Sequence, residues 1–205
     1  MKLYYSPGAC SLSPHIVARE AGLPLTLVRV DTKGKKTIGG DDYMTINGKG
    51  YVPLLELDDG TRLTEGPAIV QYLADRAPQT KLAPANGTIE RYQLQEWLNF
   101  ITSEIHKQFS PLFDATMPEE AKAKFRDKLA VRFDWIVRQL GDKPYLTGAD
   151  FTVADAYLFT VLNWTKWTGI DLGRWPSLQS YVARVAERPH VDTALHEEGL
   201  LKKAA

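Results

Sequence analysis

The stretch YYSPGACSLSPH, residues 4–15, holds the only cysteine of the 205-residue chain. Cys10 follows a Pro7-Gly8 turn and precedes a helix start, with Pro14 suited to the first turn. Helix N-termini carry unpaired N–H groups and partial positive charge. A cysteine there has its thiolate stabilised. The position suits a thiol that must ionise, or one that sits beside a bound thiolate. Cys10-Ser11-Leu12-Ser13 has the frame of a C-x-x-C redox motif with serine in the second place. Cys10 has no resolving cysteine, so any redox partner must bring its own sulfur. The competing reading is a buried structural cysteine, because free cysteines are among the most buried residues.

Two further groups of residues could do chemistry. In GYVPLLELDDGTRLTEGPAIVQYL, residues 50–73, Val52-Pro53 enters a strand where proline cannot donate a ladder hydrogen bond. A cis bond there would turn the Val52 backbone outward to pair with an extended peptide; an ordinary edge-strand proline is the plainer alternative. Glu65-Gly66-Pro67 lies at a helix start. There the Gly66 N–H suits a carboxylate and Glu65 suits an ammonium, which together fit an α-amino acid head group. Plain first-turn acidity is the alternative. Farther on, Asn99, Ser103 and His106 fall at i, i+4 and i+7 of one helix, opposite its apolar seam, with Lys107 adjacent. This is either a cleft-facing stripe or a solvated face.

The elements that must position these residues read as two units. Lys2 to Tyr5 is a strand. A helix capped by Ser11 or Ser13 runs to Gly22, and Leu25 to Val30 is a second strand, making a βαβ unit. Residues 32–50 read as a loop with one helical turn. Val52 to Leu57 and Thr61 to Leu63 form a hairpin around Asp58-Asp59-Gly60, and Pro67 opens a helix. Residues 78–87 read as a Pro- and Gly-containing linker. Then Leu94, Trp97, Leu98, Ile101, Ile105 and Phe109 recur at helical spacing, predicting one long amphipathic helix. Thr116 to Glu119 and Thr152 to Asp155 have capping-box spacing. The first precedes a helix that stops at Gly141, and the second an almost wholly apolar helix. Pro176 opens another helix. The expected fold is α/β: a thioredoxin-like unit over 1–77 with a mixed four-stranded sheet (βαβ-ββα), a linker over 78–87, and an all-helical unit over 88–205.

Composition excludes several classes. Lys+Arg and Asp+Glu balance at 25 each, which gives no electrostatic case for nucleic acid or an anionic membrane. No apolar run approaches the roughly 20 residues of a membrane span. With one cysteine and no signal-peptide pattern, a reducing, cytoplasmic location is expected. His15, His106, His190 and His196 have no metal-ligand spacing, so no metal is expected. Gly48-Lys49-Gly50 lacks the Ser or Thr of a phosphate-binding loop. His15 reads as a packed or surface residue, and Lys33, Lys35 and Lys36 as a solvated loop.

MKLYYSPGACSLSPH, GYVPLLELDDG, LTEGPAIVQYLAD, EWLNFITSEIHK, FTVADAYLF and the terminal EEGLLK occur in this order along the chain. In these stretches the chain resembles the cytosolic glutathione transferases, most closely their bacterial beta class. The resemblance implies a homodimer that binds glutathione as co-substrate at its domain interface and conjugates its thiolate to small hydrophobic electrophiles in detoxification. Thiol–disulfide exchange or peroxide reduction through Cys10 would be a side activity. By position, Cys10 would face the glutathione sulfur. Tyr51, Val52 and Pro53 would meet the cysteinyl part, Glu65 and Gly66 the γ-glutamyl head group, and Lys35 a carboxylate. Asn99, Ser103, His106 and Lys107 would approach from the helical unit. Thr152 and Asp155 would be folding residues. Stabilising the thiolate by about two pKa units needs roughly 2.7 kcal/mol. Cys10, Ser11 and a cationic His106 or Lys107 are the candidates to supply it, with Tyr4 and Tyr5 as helper hydroxyls; Tyr5, inside the first strand, is expected to pack. Gly48 stands where such proteins often carry proline, which should loosen the loop before Val52. Phe109, Trp164 and Trp167 are candidates to line the electrophile pocket. The rival reading is a non-catalytic binding protein on the same fold, which would lose Cys10, Lys35, Glu65, Gly66 and His106.

Overall fold

The computed structural model describes residues 1–201. Its elements are β1 Lys2–Tyr5, α1 Leu12–Glu20, β2 Thr26–Asp31, β3 Lys36–Thr37, α2 Tyr43–Ile46, β4 Leu54–Glu56, β5 Arg62–Thr64 and α3 Gly66–Asp75. After a 3-10 turn at Pro78–Thr80 come α4 Ile89–Phe100, a π-helical segment Ile101–His106, α5 Lys107–Phe109, a 3-10 turn Ser110–Phe113, α6 Glu119–Leu140, α7 Val153–Leu162 and α8 Thr165–Thr168. A 3-10 turn Leu172–Arg174, α9 Pro176–Ala186 and α10 Pro189–Glu197 complete the described chain. None of these helices is long and apolar enough to cross a membrane.

The first unit is a thioredoxin-like sheet with strand order β3-β2-β1-β4-β5. β1 and β2 are parallel, with Leu3 opposite Leu27, and every other pairing is antiparallel. The sheet is mixed, as expected, but has a fifth strand. The two-residue β3 pairs Val30 with Thr37 inside the stretch read as a loop; two residues are too short for alternation to show. α2 is the helical turn expected in that stretch, started by the Asp42 carboxylate accepting from Met44 N–H at 2.9 Å. α1 packs against α3 on one side and α10 on the other.

α10 packs on α1 and groups with the first unit. Among the described residues, Met1–Ala83 group with 188–201, and Pro84–Glu187 form the second unit. By this grouping the segment 188–201 goes with the sheet-bearing unit. Its ties are polar. Glu198 Oε2 accepts from Gly8 N–H at 2.8 Å, and Glu198 Oε1 lies 3.0 Å from His15 Nδ1. His15 Nε2 lies 2.7 Å from Glu197 Oε2, and Arg188 donates to both oxygens of Glu20 at 2.7 and 2.8 Å. Burial raises the Glu197 carboxyl, but Arg19 and His15 overcome that and hold it below its usual range. The packed reading of His15 is correct: it is fully buried.

The second unit is all-helical. Leu94, Leu98, Ile101, Ile105 and Phe109 are buried, as their spacing predicts. They do not form one regular helix, because the middle turn is π-helical and the Lys107 N–H reaches back to Thr102 O. The hydroxyls of Thr102 and Ser103 donate to Leu98 O and Asn99 O at 2.8 and 3.1 Å. Those are the carbonyls a regular i→i−4 ladder would engage, so the hydroxyls compete with it. The expected capping box at Thr116 does not form. Thr116 turns to Asp114, and α6 begins after Pro118 with no side-chain cap. The box at Thr152 and Asp155 does form. The buried Asp155 carboxylate accepts from Leu146 N–H, from the N–H and hydroxyl of Thr152, and from Tyr181 O–H. Burial pushes its pKa up against these donors. Every residue of α7 behind this box is buried.

Candidate functional site

Cys10 is half-buried in the turn ahead of α1, and its thiol donates to Val52 O at 3.2 Å. The Val52–Pro53 bond is cis. One core cluster positions both residues: Tyr4, Val30, Tyr43, Val52 and Leu54 pack together with Ala9, the neighbour of Cys10, against them. Gly8, just upstream, is the residue held by Glu198. Cys10 is therefore not sealed in the core.

The start of α1 differs from expectation in two ways. The N–H groups of Leu12, Ser13 and His15 donate to Ala9 O, Cys10 O and Ser11 O, and Pro14 has none. The amides of Leu12, Ser13 and His15 are thus engaged within the turn, and the field of the helix remains. Neither serine caps the helix. Ser13 Oγ donates to Cys10 O, while Ser11 is fully buried with Oγ donating to Ser6 O and accepting from Ser6 N–H. Ser11 is locked in the turn and is not a catalytic hydroxyl. Tyr4 and Tyr5 are both buried, Tyr5 packing as expected. Desolvation raises both phenols, so they hold their protons.

The loop before Val52 is tight. Tyr51 O accepts from Tyr43 O–H at 2.8 Å and Asn47 Nδ2 at 2.7 Å. Asn47 Oδ1 accepts from Lys49 N–H, and Lys35 Nζ donates to Gly50 O at 2.9 Å. These cross-links fall on both sides of Gly48 and oppose the looseness expected from it. Gly50 adopts φ +64°, a region that favours glycine, and a Cβ there would displace the end of the Met44 side chain, whose Sδ would lie 2.9 Å away. Lys35 is half-buried and occupied in holding this loop, with its ammonium also over the exposed Tyr51 ring.

Glu65 adopts φ +69°, a left-handed conformation a non-glycine residue seldom takes. Its exposed carboxylate meets Lys49 Nζ at 2.6 Å, and Lys49 also donates to Thr64 Oγ1 at 3.0 Å. An ammonium already sits on Glu65. Sequence reasoning dismissed Lys49 as a failed phosphate loop; its partner is 16 residues away, so no spacing rule reveals the pair. Gly66 opens α3, its N–H is an orphan donor of the helix start, and a Cβ there would meet nothing within 4 Å. Carboxylate, free amide and open space adjoin, as a zwitterionic head group requires.

In the second unit Asn99, Ser103 and Lys107 are exposed and His106 is half-buried. His106 Nδ1 lies 2.6 Å from the Tyr157 hydroxyl, and its ring stands edge-on to Trp164 at 4.8 Å. Burial, with a smaller contribution from the Lys107 charge, lowers its pKa to about 4. The expected cationic His106 is therefore corrected: it is neutral at physiological pH and acts only as a neutral donor or acceptor. Phe109 is wholly in the core, Trp164 is buried against Phe109 and Phe113, and Trp167 is 58% exposed. Of the expected pocket aromatics, Phe109 is thus too deep to meet a ligand. No group of three metal-ligating side chains occurs among the described residues.

Residues 8–76 match the family described as glutathione S-transferase, N-terminal domain, and residues 100–189 that described as glutathione S-transferase, C-terminal domain. The chain is 48% identical to glutathione S-transferase GstA of Escherichia coli O157:H7, over 98% of this chain and all of the relative. Among solved structures, it is similar to BphK, a bacterial glutathione S-transferase, in a ternary complex (58% identity, TM-score 0.95, 97% of this chain and 100% of that one). It is also similar to the beta-class enzyme of Sphingomonas chungbukensis (46%, TM-score 0.95, 98% and 100%). A sphingomonad glutathione S-transferase complexed with glutathione matches at 44% identity and TM-score 0.94, with the same coverage.

Proposed function

The chain belongs to the glutathione S-transferase family, and on that premise we propose that its first unit holds glutathione across Val52, Glu65 and Gly66 with the tripeptide's sulfur beside Cys10. Glutathione is the co-substrate, and no metal is required. The observation that carries the reading is the Cys10 Sγ to Val52 O contact of 3.2 Å. The backbone suited to pairing with a bound peptide and the lone thiol meet at one atom.

Binding then becomes an exchange of partners. The cysteinyl N–H of the tripeptide takes over Val52 O, and the released Cys10 S–H turns to donate to the incoming sulfur. The γ-glutamyl ammonium displaces Lys49 from Glu65, and its carboxylate accepts from Gly66 N–H at the start of α3. The glutathione thiol gives its proton to solvent, and the sulfur attacks the electrophilic carbon as the leaving group departs. Donors trained on the sulfur favour its anionic form. Lys35 serves by holding the Gly50 carbonyl and with it the Tyr51–Pro53 backbone. The second substrate in this reading is a small hydrophobic electrophile. We read the protein as a cytoplasmic homodimer acting in detoxification.

Cys10 carries the side activity. Its thiolate attacks a glutathione disulfide, one glutathione leaves as thiol, and a mixed disulfide remains for a second glutathione to reduce. The reading predicts heat on calorimetric titration with glutathione and conjugation of an aromatic halide acceptor. A flat titration would return the protein to the class of non-catalytic binding proteins on this fold.

A further inference from the structure

The carboxylate assigned above to the γ-glutamyl ammonium already carries a cation of the protein's own. We propose that Lys49 is a specificity-determining residue: as a resident ammonium on Glu65, it lets the head-group half of the site accept ligands that bring a carboxylate but no α-ammonium. The inference rests on the glutathione reading above for the ligand, and on geometry alone for the pair.

Glu65 is fixed by its backbone. It sits at φ +69°, and its carbonyl accepts from Ala68 N–H and Ile69 N–H, both at 3.0 Å. Lys49 Nζ reaches its carboxylate at 2.6 Å and Thr64 Oγ1 at 3.0 Å, so two contacts place the ammonium. The lysine is anchored at its base too. Asn47 Oδ1 accepts from Lys49 N–H at 3.1 Å, and Asn47 O accepts from Gly50 N–H at 2.8 Å. Neighbouring cations are engaged elsewhere: Lys35 donates to Gly50 O, and Arg62 donates to Glu56 and to Ile46 O.

The side chains of the pair are 53% and 69% exposed, and exposed ion pairs are weak enough to exchange partners readily. Two ammonium groups on one carboxylate repel each other, so a ligand's ammonium and Lys49 compete for Glu65. A zwitterionic head group displaces Lys49 and supplies its own cation. A head group without the ammonium leaves Lys49 in place, and its carboxylate then meets a neutral pair. Without Lys49, the same carboxylate would face the unpaired charge of Glu65, a repulsion that discriminates against it. Lys49 therefore weakens glutathione and preserves binding of the ligand that lacks the amine.

The test is calorimetric titration with two ligands: glutathione, and glutaryl-cysteinyl-glycine, which is glutathione without its α-amino group. The unaltered protein should bind both. In Lys49→Met, glutathione should tighten about two- to fivefold and the analogue should weaken by a similar factor, so the preference for glutathione should grow on the order of tenfold. An analogue that the unaltered protein does not bind overturns the proposal and needs no variant to read. So does a Lys49→Met protein that holds the analogue as tightly as before, or in which both ligands weaken together. Failure of the underlying reading would show separately, as absence of glutathione binding to the unaltered protein.

Discussion

The thiol of Cys10 and the carbonyl of Val52 are hydrogen-bonded at 3.2 Å across 42 residues of sequence. Half-site and redox group are therefore linked through one acceptor, and the two activities should separate on mutation. Cys10→Ala removes the only sulfur able to form a mixed disulfide, so thiol–disulfide exchange should vanish. Conjugation should persist within about tenfold, the effect of losing one hydrogen-bond donor. Steady-state assays of both activities on the same preparation decide it, and equal loss of both would make Cys10 the sole activator of glutathione.

Lys49 occupies the carboxylate that the γ-glutamyl ammonium is proposed to use. Exposed ion pairs of this kind contribute at most about 1 kcal/mol. Lys49→Met should therefore lower the KM for glutathione by about two- to fivefold, whereas Glu65→Gln should raise it. A higher KM in Lys49→Met would mean that Lys49 assists the ligand instead of competing with it.

His106 should make stability depend on pH. The folded ring titrates at about 4, the unfolded one near its ordinary 6.5. Between these values the unfolded chain binds more protons, so stability rises with pH there and is lost as pH falls from about 6.5 toward 4. The contribution is about 3 kcal/mol at most. Urea midpoints measured from pH 7 to pH 4 should fall more steeply for the unaltered protein than for His106→Gln; parallel curves would refute a neutral buried imidazole.

Glu198 accepts from the Gly8 N–H and partners His15 in a fully buried setting. Glu198→Ala removes both interactions at once, which should cost about 3 kcal/mol and disturb the turn ahead of Cys10. The expected result is a lower denaturation midpoint together with slower disulfide exchange. Unchanged exchange would show that the turn keeps its shape without the C-terminal segment.

Much of this was readable in the chain because it is local. The turn-helix position of Cys10, the hairpin at Asp58-Asp59-Gly60 and the box at Thr152 and Asp155 follow from residue types a few positions apart, where backbone geometry links spacing directly to structure. The apolar face of the long helix was legible for the same reason, through the burial of Leu94, Leu98, Ile101 and Ile105. Family resemblance added roles for Val52, Glu65 and Gly66 that spacing alone left open.

Tertiary structure decided the rest, because it depends on partners that no periodicity brings together. Glu198 reaches Gly8 across 190 residues, and with it the last helix joins the sheet. Lys49 finds Glu65, Ser11 turns inward to Ser6, and Tyr157 meets His106 across 51 residues. Sequence determined which groups are present and which local elements carry them. Burial and distant hydrogen-bond partners determined their state: a histidine kept neutral, a serine withdrawn from chemistry, and a thiol held on a carbonyl.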